Sequence, residues 1–334
     1  MRILIYGAGA IGSDLGGMLC QAGADVTLLA RGDNLAALQR QGLRVHRPGQ
    51  AVQTVPVRAV DASQAGHMYD LVVVTLKAMQ LEPVAQDLVD RLAPQGTLLM
   101  IQNGLPWWYF EHQAGLSSPA SIPCLDPHGV LARTIPLDRV VGAVIYKPVT
   151  SVGPGEILLP QVMPPRLIVG EVDNQLTPRL HQVQQCMTQA GLNTEVTDNI
   201  RLAKWQKLMM NLIWNPLCAI MQVSPGYIVA DPRARALAEQ MIVEGRAIAW
   251  ACDMPVQVDP GAEIDRVSQN FNQTPSMLQD IRAGRPVELD AIVNAVIEIG
   301  DLFQVPCPAL KTVAGILGVL NQSLIRTREG IGPR

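Results

Sequence analysis

Arg2-Ile3-Leu4-Ile5-Tyr6-Gly7-Ala8-Gly9-Ala10-Ile11-Gly12 decides how the first half of the chain folds. The first five residues are an apolar run ending in glycine, the pattern of a parallel strand buried on both faces. Gly7, Gly9 and Gly12 then spell G-x-G-x-x-G, and a helical pattern follows through Met18, Leu19 and Ala22. A second strand reads Val26-Thr27-Leu28-Leu29. Strand, Gly-rich turn, helix and strand form the setting in which this motif holds a dinucleotide. Gly7 permits the tight turn, Gly9 lets the backbone approach a pyrophosphate, and Gly12 lets the helix pack close to the strand. Gly7, Ala8, Gly9, Ala10, Ile11 and Gly12 are therefore the expected pyrophosphate cradle. The first N–H groups of the helix and its positive dipole end would face the phosphates.

The end of the second strand bears on which dinucleotide is held. NAD-dependent folds usually place Asp or Glu there for the ribose hydroxyls. This chain reads Ala30-Arg31-Gly32 instead, with Asp33 two positions late. The planar fork of Arg31 suits a 2′-phosphate, which favours NADP over NAD. Two further buried strands read Leu71-Val72-Val73-Val74-Thr75 and Thr97-Leu98-Leu99-Met100-Ile101. Ligands of open parallel sheets lie beyond the carboxyl ends of the strands. Lys77 and Asn103, which follow those ends, are thus expected at the cofactor cleft. Lys77 stands out for a second reason: the chain has only five lysines among its 26 basic residues.

The chain has 334 residues, which predicts about two domains. It is 48% hydrophobic and 16% charged, a globular rather than a disordered balance. A formal net charge of −3 argues against a dedicated nucleic-acid binder, which carries a basic face. The longest apolar candidate for a membrane helix, residues 208–221, is too short and contains Asn211, Asn215 and Pro216. The apolar run at the N-terminus is likewise too short for a signal peptide. Six scattered cysteines with no C-x-x-C pair fit reduced thiols in a cytoplasmic protein. No histidine spacing matches a metal site, so no metal is expected.

Proline splits the chain further. Twelve of the 25 prolines lie between Pro94 and Pro178. That stretch reads as an irregular, mixed-strand continuation of the first domain. The aromatic run Trp107-Trp108-Tyr109-Phe110 within it reads as packing more readily than as a wall near a nicotinamide. After Thr197-Asp198, helical periodicity takes over, with Asp198 as the expected N-cap of a long helix. The expected division is a dinucleotide-binding domain over 1–197 and a helical substrate domain over 198–334.

On the long helix, Lys207, Asn211 and Asn215 recur at i, i+4 and i+8 and form one stripe. Polar side chains in register inside an apolar stretch cost stability unless paired. They read either as a hydrogen-bonded seam or, preferably, as a face toward substrate. Pro216 is expected to kink the helix. Ser276-Met277-Leu278-Gln279 has the spacing of a capping box, and a helix N-terminus beside a hydroxyl binds carboxylates well. Glu288 stands near the start of a further helix, where an acid alone carries little meaning.

These segments together resemble the 2-dehydropantoate 2-reductase (ketopantoate reductase) family over nearly the whole chain. The resemblance rests on Gly7 to Gly12, Ala30-Arg31-Gly32, Val74-Thr75-Leu76-Lys77-Ala78 and Gln102-Asn103-Gly104. In the second half it rests on Asn199-Ile200-Arg201, Trp205-Gln206-Lys207-Leu208, Asn211, Asn215-Pro216, Ser276-Met277-Leu278-Gln279-Asp280 and Glu288-Leu289-Asp290. It implies an α/β fold: an N-terminal Rossmann domain and an all-helical C-terminal domain like that of 6-phosphogluconate dehydrogenase. It also implies NADPH-dependent reduction of 2-dehydropantoate to (R)-pantoate, a step toward pantothenate and coenzyme A. By matched position, Lys207 would be the general acid and Glu288 its partner. Asn211, Asn215 and Ser276 would hold substrate, while Arg31, Lys77 and Asn103 would hold the cofactor. The chemistry agrees, since hydride transfer to a ketone builds negative charge on oxygen.

The chain departs from the family pattern in three places. Gln273, with Asn272 beside it, stands where Asn is common. Tyr146-Lys147-Pro148 replaces a His-Gly-Ala stretch, and Val223-Ser224-Pro225-Gly226 lacks a further Asn. The alternatives are therefore a sister NADP-dependent reductase of another 2-oxo acid and a non-catalytic NADP-binding sensor. A homodimer is open, because long apolar C-terminal helices could pack across a two-fold axis.

Overall fold

The Arg2–Tyr6 run forms strand β1, buried from Ile3 onward as its continuous apolar character requires. The computed structural model describes residues 1–112, 122–160, 164–268 and 274–328. Its strands are β1 (Arg2–Tyr6), β2 (Asp25–Leu29), β3 (Leu43–His46), β4 (Gln53–Val55), β5 (Arg58–Val60) and β6 (Tyr69–Val74), followed by β7 (Leu92–Met100), β8 (Val140–Tyr146), β9 (Thr150–Gly153), β10 (Glu156–Leu158), β11 (Arg166–Glu171) and β12 (Asn193–Val196). The helices of the first 200 residues are α1 (Ala10–Gln21), α2 (Gly32–Gln41), α3 (Ala85–Asp90), α4 (Val130–Thr134) and α5 (Pro178–Gln189). Then come α6 (Ile200–Met221), α7 (Pro225–Ala230), α8 (Pro232–Ala251), α9 (Pro260–Ser268), α10 (Ser276–Arg282), α11 (Ala295–Leu302) and α12 (Pro308–Arg328).

The chain divides into two compact units. The first comprises Met1–Gln102, Phe110–Ala120 and Gly129–Ile200. Its main sheet has eight strands in the order β12-β11-β8-β7-β6-β1-β2-β5. All neighbours pair parallel except β8 and β11, which run antiparallel. β2 and then β5 lie on one side of β1, and the chain then crosses over to place β6 and β7 on its other side. This reversal of strand order is where doubly wound sheets take their ligands. The core beneath it is built from Ile3, Ile5, Leu15, Leu28, Val73 and Leu99, among others. A second sheet, β4-β3-β10-β9, lies in the same unit and was not anticipated from the sequence. Arg44 and His46 on β3 both meet Glu156 on β10, at 2.6 and 2.7 Å.

The second unit comprises Asn103–Tyr109, Ser121–His128 and Arg201–Arg334. Its regular elements among the described residues are all helices. α8 packs against α7, α9, α11 and α12. α8 also approaches α6 closely at Gly245, where a β-carbon would stand 2.7 Å from Leu212 Cδ2. The N-terminus of α12 is capped from another helix. Glu244 on α8, 3% exposed, accepts the Ala309 and Leu310 N–H groups at 3.0 Å each. Among the described residues no helix is long and apolar enough to cross a membrane.

Three local expectations change. α6 begins at Ile200, so Asn199 and not Asp198 precedes it. Pro216 lies inside α6, which continues to Met221. The Ser276 capping box does not form, because Pro275 is the N-cap residue of α10 and Ser276 its first helical residue.

Candidate active site

In the first unit, the Gly-rich turn joins β1 to α1. Gly7 has φ +107°, a conformation that L side chains rarely adopt. Gly12 is closed in: a β-carbon there would stand 2.0 Å from the Gly7 carbonyl oxygen and 2.5 Å from Thr75 Oγ1. Gly9 is the opposite case, since a β-carbon on it would meet nothing within 4 Å. The three glycines therefore sit in different surroundings. Ala8 is pinned by its N–H to Leu29 and by its carbonyl, which accepts from Ser13 Oγ and Asn34 Nδ2. Gly9, the N-cap residue of α1, brings no side-chain cap, and the first turn, which contains Ala10 and Ile11, carries no acid. Open space at Gly9 and a helix N-terminus free of negative charge are what a pyrophosphate requires.

Arg31 is exposed at the N-cap of α2, two residues past the end of β2. Lys77 is half-buried beyond β6, its N–H donating to Gln80 Oε1 at 3.1 Å. Behind the turn, Lys147 forms an ion pair with Asp14 on α1 and lies 2.8 Å from Met18 Sδ. The Asp14 side chain is 3% exposed and that of Lys147 is 10% exposed. Burial pushes the Asp14 carboxyl up from its usual range, and Lys147 opposes the shift.

In the second unit, α6 carries the candidate proton donor. Lys207 Nζ donates to Asn103 Oδ1 at 2.8 Å. Asn103 thus stands with Lys207, about a hundred positions away in sequence. Burial lowers the Lys207 amine from the ordinary lysine range to about 8, and the Glu288 carboxylate opposes that shift by favouring the charged form. Asn211, one turn along, is half-buried, and Asn215 is 3% exposed. Asn215 Oδ1 accepts from the Met277 N–H at 3.2 Å and from Ser276 Oγ at 3.3 Å. A backbone N–H needs an acceptor, so this contact fixes which way the Asn215 amide points. Asn215 therefore serves α10 as the cap that Ser276 was expected to be. Gln273 and Asn272 lie outside the described residues.

Two further cations of α6 lie beside the aromatic run: Arg201, from a segment that carries the resemblance but was given no role, and Lys204, which the sequence reading did not single out. Arg201, 1% exposed, donates from Nε to the Tyr109 carbonyl at 2.6 Å, and its guanidinium lies 5.4 Å from the Trp108 ring centre. Lys204 Nζ lies 6.0 Å from the same ring. Burial, with the charge of Lys207, brings Lys204 down to about 7. The scarcity of lysine that singles out Lys77 and Lys207 would have singled out Lys204 as well. Trp108 and Tyr109 are fully buried, and Trp205 Nε1 donates to Tyr109 Oη at 2.6 Å. The aromatic run is thus packing that holds the segment after Asn103 along α6.

Comparison with known proteins agrees with both halves. The family model "Ketopantoate reductase PanE/ApbA" matches residues 3–174, and its C-terminal counterpart matches 199–321. A protein of Mesorhizobium japonicum named 2-dehydropantoate 2-reductase is 36% identical, covering 95% of this chain and 97% of its own length. A crystal structure assigned to a ketopantoate reductase of Ralstonia solanacearum MolK2 superposes with a TM-score of 0.88 at 35% identity, covering 96% of this chain and 98% of that one. A ternary structure of D-mandelate dehydrogenase with NADH and anilino(oxo)acetate shares the fold, with a TM-score of 0.80 at 22% identity, covering 97% of this chain and 100% of that one. The chain belongs to the ketopantoate reductase family of oxidoreductases.

Proposed function

We propose that this chain reduces 2-dehydropantoate to (R)-pantoate with NADPH, and that Lys207 is the general acid. The observation that carries the reading is the state of Lys207. Its side chain is half-buried, desolvation brings its amine to about 8, and Asn103 holds it on the helix face that also bears Asn211 and Asn215. An acid poised near the working pH is what proton transfer to a developing alkoxide needs. When bound, the reduced dinucleotide supplies a hydride to the 2-keto carbon. Lys207 stabilises the charge that grows on the keto oxygen and then delivers the proton. Glu288 favours the charged amine before reaction. Asn211, Asn215 and Ser276 hold the substrate. With Asn215 Oδ1 committed to α10, the amide offers its N–H donors to a carboxylate or carbonyl.

The cradle of Gly7 to Gly12 would take the pyrophosphate, and Lys77 would add a cation to the cofactor. Arg31, in the place of the acid that NAD folds usually carry, supports NADPH. A second reading, a reductase of a different 2-oxo acid, is favoured by the rebuilt stretch at Tyr146-Lys147-Pro148, whose lysine is committed to Asp14. The test is loss of NADPH absorbance with a panel of 2-oxo acids, including 2-dehydropantoate, 2-oxoisovalerate and an aryl 2-oxo acid. Marked preference for 2-dehydropantoate supports the first reading, and preference for another acid supports the second. No turnover with any of them refutes both and leaves a dinucleotide-binding sensor.

A further inference from the structure

Residues 290–294 form a π turn in which the Ala295 N–H reaches back to the Asp290 carbonyl. In an unbroken α-helix that N–H would donate to Ala291, four residues back. The slip takes the α-helical donor away from the Ala291 carbonyl, and the Leu105 N–H binds that oxygen at 2.8 Å. Gly104 makes the approach possible. Its φ is +77°, and a β-carbon on it would stand 2.1 Å from the Ala291 oxygen and 2.5 Å from the carbonyl carbon. Those are backbone atoms, which cannot swing aside as the tip of a side chain can.

What the contact joins matters more than the contact itself. The residue before Gly104 is Asn103, whose Oδ1 accepts from Lys207. Two residues before the π turn is Glu288, whose charge acts on the same lysine. Leu105 to Ala291 is therefore a backbone bond between the two segments that govern the Lys207 amine. Single π turns recur at functional sites, and here the inserted turn has an identifiable product, a carbonyl released to an outside donor.

We propose that Gly104 and the π turn at 290–294 are positioning elements that set Asn103 and Glu288 against the Lys207 amine. The proposal rests on the reading of Lys207 as the acid. The experiment is a double-mutant cycle on the full chain with Gly104→Ala, Asn103→Ala and the pair. Each variant is read for kcat, for KM of the 2-oxo acid, for Kd of NADPH and for the alkaline limb of the pH profile. Gly104→Ala is expected to lower kcat about tenfold or more and to move the limb. The double variant is expected to lose less than the product of the two single losses, because with Asn103 gone only Glu288 is left to position. Losses that multiply, or an unmoved limb, overturn the proposal.

Should Gly104→Ala fail to fold, an ester in place of the Leu105 amide removes the donor and leaves the shape. Full kcat in that protein overturns the proposal, whereas a loss that becomes smaller in the Asn103→Ala background supports it. Wild-type turnover in Asn103→Ala and Lys207→Met would refute the site reading itself. Loss in those two with full activity in Gly104→Ala would refute only the positioning role.

Discussion

Replacing Glu288 by Gln should move the alkaline limit of the reaction to lower pH. Burial pulls the Lys207 amine down, the Glu288 carboxylate pulls it partly back, and the balance is about 8. Gln keeps the size of the side chain and deletes its charge, so the balance must fall. A general acid works only when protonated. At a value of about 8, roughly nine-tenths of the molecules are competent at pH 7 and about one-tenth at pH 9. A fall of about one unit corresponds to about 1.4 kcal/mol of lost preference for the charged amine. It would leave about half the molecules competent at pH 7 and cut the rate at pH 8 about fivefold. The assay is kcat/KM for the 2-oxo acid with NADPH from about pH 5.5 to 9.5, which reports the free enzyme. Lys207→Arg is the companion, because arginine does not titrate there and any remaining activity should lose the limb. A limb that stays in place or moves to higher pH in Glu288→Gln, or one that persists in Lys207→Arg, would refute the reasoning.

Four other outcomes follow from the same geometry. Arg31→Ala should weaken NADPH binding more than NADH binding, read as two dissociation constants; an unchanged ratio removes the 2′-phosphate role. Gly12→Ala would put a β-carbon 2.0 Å from the Gly7 oxygen, so it should abolish dinucleotide binding and lower the melting temperature, and full binding would contradict the packing described. Glu244→Gln should cost about 1–3 kcal/mol in denaturant unfolding by spoiling the α12 cap, with kcat little changed. Lys204 is held in the folded state at about 7, below the usual lysine range. The unfolded chain therefore binds more protons above that pH, and stability should rise with pH through this window. In Lys204→Met that slope should flatten, and an identical slope in unfolding measurements from about pH 7 to 8.5 would argue against a buried, neutral Lys204.

Much of the first unit was legible because its cues are local. An apolar run, a Gly-rich turn and a helix are contiguous, and the close neighbours of Gly7 and Gly12 come from the turn itself and from strands of the same sheet or their ends. The stripe of Lys207, Asn211 and Asn215 was legible for the same reason, since helical periodicity places all three without tertiary information. What escaped depends on distant partners. Asn103 was placed by the strand it follows, yet its amide meets a lysine from α6. Ser276 and Gln279 matched a local capping pattern, but the N–H of Met277 found Asn215 from another helix. The π turn left no mark in the hydrophobic pattern, and the carbonyl it releases meets Leu105, nearly two hundred residues away. The second sheet was missed because β3 and β10 are each too short to stand out and pair across more than a hundred residues.

Lys147 and Asp14 have a consequence for how this sequence can change over generations. Removing one member of a buried ion pair strands the other charge, at a cost of about 3–5 kcal/mol. Exchanging both members at once for well-packed apolar residues is close to neutral. Positions 14 and 147 are therefore bound to one fate: in descendants of this chain the aspartate on α1 and the lysine after β8 should persist together or disappear together. A lineage that keeps only one should show a new partner beside it.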